Sequence, residues 1–410
     1  MSPLTRVAGR RAAALLGALS AVVATWIVTA PVATADDMRS RQWYLDAMKA
    51  DEMWKVATGK GITVAVLDTG VDSTLPELRG RVLPGRNISD AGGGPGRVDD
   101  KDRDRHGTNM ALAIAGSGDN GGVKGIAPEA TILPVKTGDS FFTGWGPMLQ
   151  GVRYAVDNGA RVINISSGGG GDESDAREWQ STVDYAVKKG ALIFAASGNG
   201  GKERVNVYPA SVPGVVAVGA VDTKGKVAEF SDYGSYVDLV APGIEMPGRC
   251  SKDRTKFCSL WGTSHSAAIA SGTAALIWSA HPDWTGNQVL RVMMETAGHD
   301  GPVPSKYIGY GTVRPAQVLL EGKGNPGAPD VNPLLAAQGT SKASTTPQTS
   351  PSPENTGASG SDQAKDKGQA AASDEGGFPL WAIAASAVAV VAVIGLVVAA
   401  GVRRRASTDA

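Results

Sequence analysis

Short apolar runs at residues 62–67, 132–135, 161–165, 191–195, 215–218 and 237–240 are rich in β-branched residues and do not alternate apolar with polar. A strand with one wet face alternates. A strand that does not is covered on both faces, the situation in a parallel sheet flanked by helices. Helical stretches fit between the runs: residues 148–158 end on Gly159 and residues 179–189 on Gly190. Glycine readily adopts the left-handed conformation that closes a helix. The pattern predicts an α/β fold with a doubly wound, mostly parallel sheet. In such sheets functional groups gather in the crevice outside the carboxyl ends of the strands.

The remaining segments are organised around this domain. Residues 1–35 carry Arg6, Arg10 and Arg11, then no charge, and close on Ala33-Thr34-Ala35, the layout of a secretory signal peptide. Residues 378–402 are also free of charge and long enough, at about 1.5 Å per residue, to cross a hydrocarbon core of roughly 30 Å as a transmembrane helix. Arg403, Arg404 and Arg405 follow, so residues 403–410 form a basic tail on the cytoplasmic side and the folded part lies outside the cell membrane. Residues 323–377 are rich in Gly, Pro, Ser, Thr, Ala and Gln. Such a segment buries too little apolar area to offset its ordering entropy, and a flexible, disordered linker is expected.

Residues 36–322 remain for one large domain. Lys and Arg number 40, as do Asp and Glu, a balance that gives no support to a nucleic-acid partner. The two cysteines, Cys250 and Cys258, both lie in this exported part. In an oxidising compartment they are expected to form a disulfide closing a small loop; two free thiols or a metal pair are the alternatives.

At residues 262–272, GTSHSAAIASG, a serine stands beside a histidine at the head of a helix of very small residues that Pro282 stops. Neighbours at i and i+1 on a helix point apart, so a catalytic Ser264 must take its base from elsewhere. Of the four histidines, His281 precedes a proline and His299 sits in a polar loop. His106, in DRHGTNMALAIAG, stands at a helix start. Asp68 ends the apolar strand ITVAVLD, where an ionised carboxylate needs a hydrogen-bonding partner; an imidazole N–H is a suitable one. Asn199, in AASGNGG, offers an amide donor for an oxyanion, with the Ser264 backbone N–H as a second.

VAVLDTGVD, HGTNMA and GTSHSA, in the order Asp, His, Ser, resemble the subtilisin-like serine peptidase family. Matching stretches over about residues 42–320 include GIAPEATILPVK, GVRYAVDNGARVINISSGG and VDLVAPG. The resemblance implies that Asp68 orients His106, that His106 is general base and then acid, that Ser264 is the nucleophile and that Asn199 joins the oxyanion hole. It also implies that Ser166, Ser167, Gly168 and Gly169 pair with an extended polypeptide substrate. No cofactor and no metal ligand set is expected, and the acidic run VDDKDRDR before His106 reads as a solvated loop. Three positions depart from the family's pattern: Asn109, His265 and Ala268. His265 is expected to pack or hydrogen-bond behind the site.

The segment RQWYLDAMKADEMWKVATGKG and the order of signal peptide, peptidase domain, linker, single span and basic tail resemble the mycosins, membrane-anchored peptidases of type VII secretion systems in actinobacteria. The implied role is processing of exported proteins, with the secretion membrane complex as a partner. A scaffold of that complex with dispensable catalysis is the alternative. An aspartic peptidase is disfavoured, since that chemistry needs two carboxylates sharing a proton and only Asp68 stands in a DTG motif.

Overall fold

In the computed structural model, which describes residues 38–89, 93–99, 105–138 and 144–344, the six expected strands form within about three residues of their predicted bounds, and a short strand at Arg86–Asn87 that the sequence did not predict joins them. They are β1 (Thr63–Asp68), β2 (Arg86–Asn87), β3 (Thr131–Lys136), β4 (Val162–Ile165), β5 (Leu192–Ala196), β6 (Val215–Val221) and β7 (Leu239–Pro242). All belong to one seven-stranded sheet in the order β2-β3-β1-β4-β5-β6-β7, with every neighbouring pair parallel. β8 (Met246–Arg249) and β9 (Phe257–Leu260) form a separate antiparallel hairpin.

The helices are α1 (Trp43–Ala47), α2 (Ala50–Met53), α3 (His106–Ala115), α4 (Gly146–Asp157), α5 (Glu173–Lys188), α6 (Thr263–Ala280), α7 (Gly286–Glu295), α8 (Pro315–Leu319) and α9 (Pro333–Ser344). α5 starts on a capping box in which Asp172 accepts from the backbone of Ser174 and Asp175 while Asp175 accepts from Asp172, satisfying first-turn donors that no helical carbonyl reaches. Alternate residues of β1 explain the missing sequence alternation. Val64 and Val66 pack with residues of α3 and α6 on one face, and Ala65 and Leu67 pack with residues of α4 and α5 on the other. α6 is buried from Thr263 to Trp278, and its Ala, Ser and Gly residues let it lie close to its neighbours: a Cβ at Gly272 would stand 2.3 Å from Ile126 Cγ2.

The segment ahead of β1 is seated on the body through polar anchors as well as the buried Met38, Tyr44, Leu45 and Met53. Gln42 donates to the Lys124 carbonyl and accepts from the Lys124 N–H. The Trp43 and Trp54 indoles donate to the carbonyls of Ile244 and Ile126.

Cys250 and Cys258 are disulfide-bonded, as expected, and close the β8–β9 hairpin. The hairpin is tied to α3 by Asn109, whose amide accepts from the Arg249 N–H at 2.7 Å and donates to the Arg249 carbonyl at 3.1 Å. The Arg249 guanidinium forms a buried ion pair with Glu77 at 2.6 Å and also donates to the carbonyls of Arg254 and Thr255.

The structure moves the expected start of the linker. Residues 323–332 are bound to α7 through backbone carbonyls: Gln288 donates to Gly327, Asn287 and Thr285 to Pro329, and Arg291 to Val331. Asn332 caps α9, and Leu334 is buried in the core. A Gly- and Pro-rich composition therefore does not preclude order where neighbouring side chains satisfy the backbone. The domain runs to about residue 344, and the rest of the expected linker lies outside the described residues. So do the predicted signal peptide, transmembrane helix and tail. Among the described residues no helix is long and apolar enough to cross a membrane.

Candidate active site

Asp68, His106, Asn199 and Ser264 line one cavity of about 530 Å³, together with Ser166, Ser167, Gly168 and Gly169. It opens where the sheet rule places it: Asp68 is the last residue of central β1, and Ser166 follows the end of β4. Asp68 is buried, and both of its carboxylate oxygens lie within hydrogen-bond distance of His106 Nδ1, at 2.8 and 2.9 Å. Oδ1 also accepts the Thr69 N–H. This arrangement fixes the ring's orientation and assigns the Nδ1 proton to the bond with Asp68.

The backbone around His106 is tightly constrained. Arg105, the residue before the helix, is held at φ 51°, in the left-handed region. A Cβ at Gly107 would lie 2.2 Å from the Gly70 carbonyl oxygen and 2.9 Å from Asp68 Cβ, so glycine alone lets α3 approach the end of β1 this closely. Beneath the pair, Asp99 accepts from the Thr69 hydroxyl and from both the N–H and the hydroxyl of Thr108, while the Thr69 hydroxyl accepts the Gly107 N–H. Asp99 belongs to the acidic run read as a solvated loop. It is instead buried, and burial pushes its carboxyl up to about 6. Residues 100–104 of that run lie outside the described residues. No cluster of metal ligands is present among the described residues.

Ser264 is the second residue of α6, 8% exposed. Its hydroxyl donates to the Ser166 carbonyl at 2.9 Å, and the Ser166 hydroxyl returns a bond to the Ser264 carbonyl at 3.0 Å. Asn164, fully buried in β4, donates to the Ser166 hydroxyl and accepts from Ser271 of α6. This polar chain was missed in the sequence because one Asn inside an apolar strand carries no motif; its only signal is the cost of burying an amide unpaired.

Asn199 Oδ1 accepts from both the N–H and the hydroxyl of Thr263 at 2.9 Å. Oδ1 is thereby occupied, and Nδ2 is the donor left for a ligand, beside the Ser264 N–H in the first turn of α6. The four residues predicted to pair with substrate all line the cavity but are not equivalent. Gly169 exchanges both backbone hydrogen bonds with Tyr208, at 3.0 and 2.7 Å, so its main chain is already engaged, and Gly168 offers the neighbouring main-chain groups.

His265 does not line the cavity. It is 4% exposed, and neither ring nitrogen has a hydrogen-bond partner among the described residues, which favours the packing half of the expectation. Burial, and secondarily the charge of His106, pushes its imidazole down to about 3. Its folded value lies below the unfolded value of about 6.5, so the stability linked to its neutral form is present above pH 6.5 and is lost as pH falls from 6.5 toward 3. At pH 5 the loss is about 2 kcal/mol. Denaturant unfolding of His265→Met is expected to show that much less destabilisation than the parent between pH 7.5 and pH 5. An unchanged slope would contradict the buried neutral imidazole.

His281 caps α6 and stacks on Trp284 at 3.8 Å, and His299 binds the Gly301 carbonyl; neither lines the cavity. Trp145 packs edge-on against Trp179 at 5.5 Å.

Residues 59–311 match the sequence profile of the Subtilase family. The chain belongs to the subtilase family. It is a subtilisin-like serine protease, 39% identical over 242 residues to the major intracellular serine protease of Bacillus subtilis (strain 168), a match that covers 57% of this chain and 74% of the relative. Thermitase of Thermoactinomyces vulgaris is 36% identical over 242 residues, covering 58% of this chain and 83% of its own. Among solved structures, the subtilase fold of this chain is similar to that of MycP1 from Mycobacterium smegmatis, with a TM-score of 0.62, 29% identity and coverage of 70% and 86% of the two chains. The MycP3 protease from the type VII (ESX-3) secretion system gives a TM-score of 0.57 at 29% identity, with 68% and 88% covered.

Proposed function

We propose that this subtilase is a membrane-anchored extracellular endopeptidase that cleaves polypeptides through an acyl-enzyme, with Ser264 as nucleophile, His106 as general base and then acid, and Asp68 as the group that orients the imidazole. The observation that carries the reading is the buried Asp68 carboxylate on His106 Nδ1 in the cavity that Ser264 and Asn199 also line. In the resting state the Ser264 hydroxyl is held by the Ser166 carbonyl. Turning about its Cα–Cβ bond brings it to the imidazole, which takes its proton as Oγ attacks the substrate carbonyl. Asn199 Nδ2 and the Ser264 N–H receive the developing oxyanion. His106 then returns the proton to the leaving amine, and water repeats the sequence on the acyl-enzyme. Ser166, Ser167 and Gly168 hold the substrate main chain in extended form.

None of residues 38–58 lines the cavity, which supports a site open to substrate without removal of that segment. Anchoring rests on residues 378–402 and their basic flank. Work at a type VII secretion membrane complex, on exported polypeptides, is supported by the likeness to MycP1, itself described as an essential component of the type VII (ESX-1) secretion system.

Treating the full-length chain with a fluorophosphonate probe tests the reading. Phosphonylation is expected at Ser264 alone, located by peptide mapping. A folded protein that remains unlabelled, or is labelled elsewhere, would sink it.

A further inference from the structure

One end of the cavity carries a charge that the hydrolytic chemistry leaves unused. Beyond Gly168, Gly169 and Gly170 on one wall and Gly198 on the other, the cavity is bounded by Val207, Asp232 and Arg204. The Asp232 carboxylate is structural: its side chain is 3% exposed, Oδ1 accepts the N–H groups of Gly200 and Lys202 at 3.0 and 3.1 Å, and Oδ2 faces Arg204 Nε at 3.4 Å. Gly198, at φ 113°, is required there, since a Cβ would lie 2.3 Å from Asp232 Oδ2.

Arg204 differs. Its side chain is 41% exposed, and its two terminal guanidinium nitrogens have no hydrogen bond, ion pair or ring contact among the described residues. Glu203, the acid next to it in sequence, is paired with Lys306 at 3.0 Å, and the neighbouring Lys202 is exposed. With Asp232 Oδ1 taken by backbone donors and Oδ2 facing Arg204 Nε, the terminal guanidinium nitrogens of Arg204 are the donors left for a ligand among these residues.

The oxyanion donors determine which substrate residue reaches it. The scissile carbonyl must place its carbon at Ser264 Oγ and its oxygen at Asn199 Nδ2, all in this cavity, so the side chain on the same residue is the one that enters. We propose that the cavity selects an acidic side chain on the residue supplying the scissile carbonyl, with Arg204 as the specificity-determining group; this rests on the endopeptidase reading. The glycine walls admit the stem, Val207 packs against its methylenes, and the Arg204 fork takes the carboxylate.

The test uses the full-length chain with Ser264→Ala, which binds without turnover, and acetyl-Ala-Ala-Pro-Xaa-amide peptides with Xaa as Glu, Gln or Lys, titrated by calorimetry. Glu is expected to bind about tenfold tighter than Gln, the ratio for one charge-assisted hydrogen bond partly screened by water, and Lys most weakly. Adding Arg204→Met is expected to bring the Glu-to-Gln ratio to about one, and Arg204→Lys to keep part of it. Equal affinities, no binding by any of the three, a preference for Lys, or a Glu preference that survives Arg204→Met would each overturn the proposal. Because Ser264 is absent from the assay, these outcomes stand apart from the endopeptidase reading, which fails if the parent protein is not labelled at Ser264.

Discussion

Replacing Ser264 with alanine is expected to lower kcat by about 10⁶-fold, and replacing His106 with alanine by nearly as much, because the members of a triad act as a unit and removing one forfeits most of what the others contribute. The geometry gives this its form. His106 is held by the buried Asp68 carboxylate, so in Ser264→Ala the base stays oriented with nothing to deprotonate. In His106→Ala the serine hydroxyl keeps its bond to the Ser166 carbonyl and gains no acceptor strong enough to activate it. Peptide binding is expected to change little in Ser264→Ala, since the Ser166–Gly168 segment and the Asn199 donor remain. Steady-state hydrolysis of a peptide amide, with affinity measured separately, checks both halves. Retention of more than about a hundredth of parental kcat in either variant would remove that residue from the chemistry, because such losses are far smaller than a triad member's share.

Glu77→Ala is expected to destabilise the fold by about 3–5 kcal/mol, the cost of leaving one partner of a buried ion pair without its counter-charge. Glu77 and Arg249 are among the buried charged residues, and the guanidinium approaches Glu77 Oε1 through Nη2 at 2.6 Å and Nε at 3.1 Å. After the substitution Arg249 keeps the Arg254 and Thr255 carbonyls, which carry only partial charge. The double variant Glu77→Leu/Arg249→Met is expected to recover most of the loss, because it removes both desolvated charges and fills the space. Urea unfolding of Glu77→Leu, Arg249→Met and the double forms the cycle, with Glu77→Ala measured beside it. If Glu77→Ala costs less than about 1 kcal/mol, the pair behaves as an exposed one and the burial argument fails.

The sequence resolved what periodicity and local chemistry encode, and missed what only tertiary closure creates. β1, β3 and β4 could be read because both faces are covered, so that apolar and polar residues do not alternate, with Asn164 in β4 the one amide among them. Asp68 and His106 stood out because each is a polar residue at the end or start of an apolar element. Asp99 looked solvated because the residues around it are charged; in its buried place it is bound by the Thr69 and Thr108 hydroxyls, which reach it from elsewhere in the chain. Glu77 and Arg249 are 172 positions apart, and no local pattern joins them. Residues 323–344 read as linker because composition reports how little apolar area a segment has, not which side chains will bind its carbonyls.

Helix α6 contributes the proposed nucleophile and also fills the interior of the domain, touching β4 through β7 and α3. Asp68 and His106 are made early in synthesis and Ser264 late, so no chain lacking residue 264 and the segments that seat it has anything to attack with. Packing the interior and arming the protease are, on the proposed mechanism, one event, and a half-made chain is harmless to itself and to its neighbours.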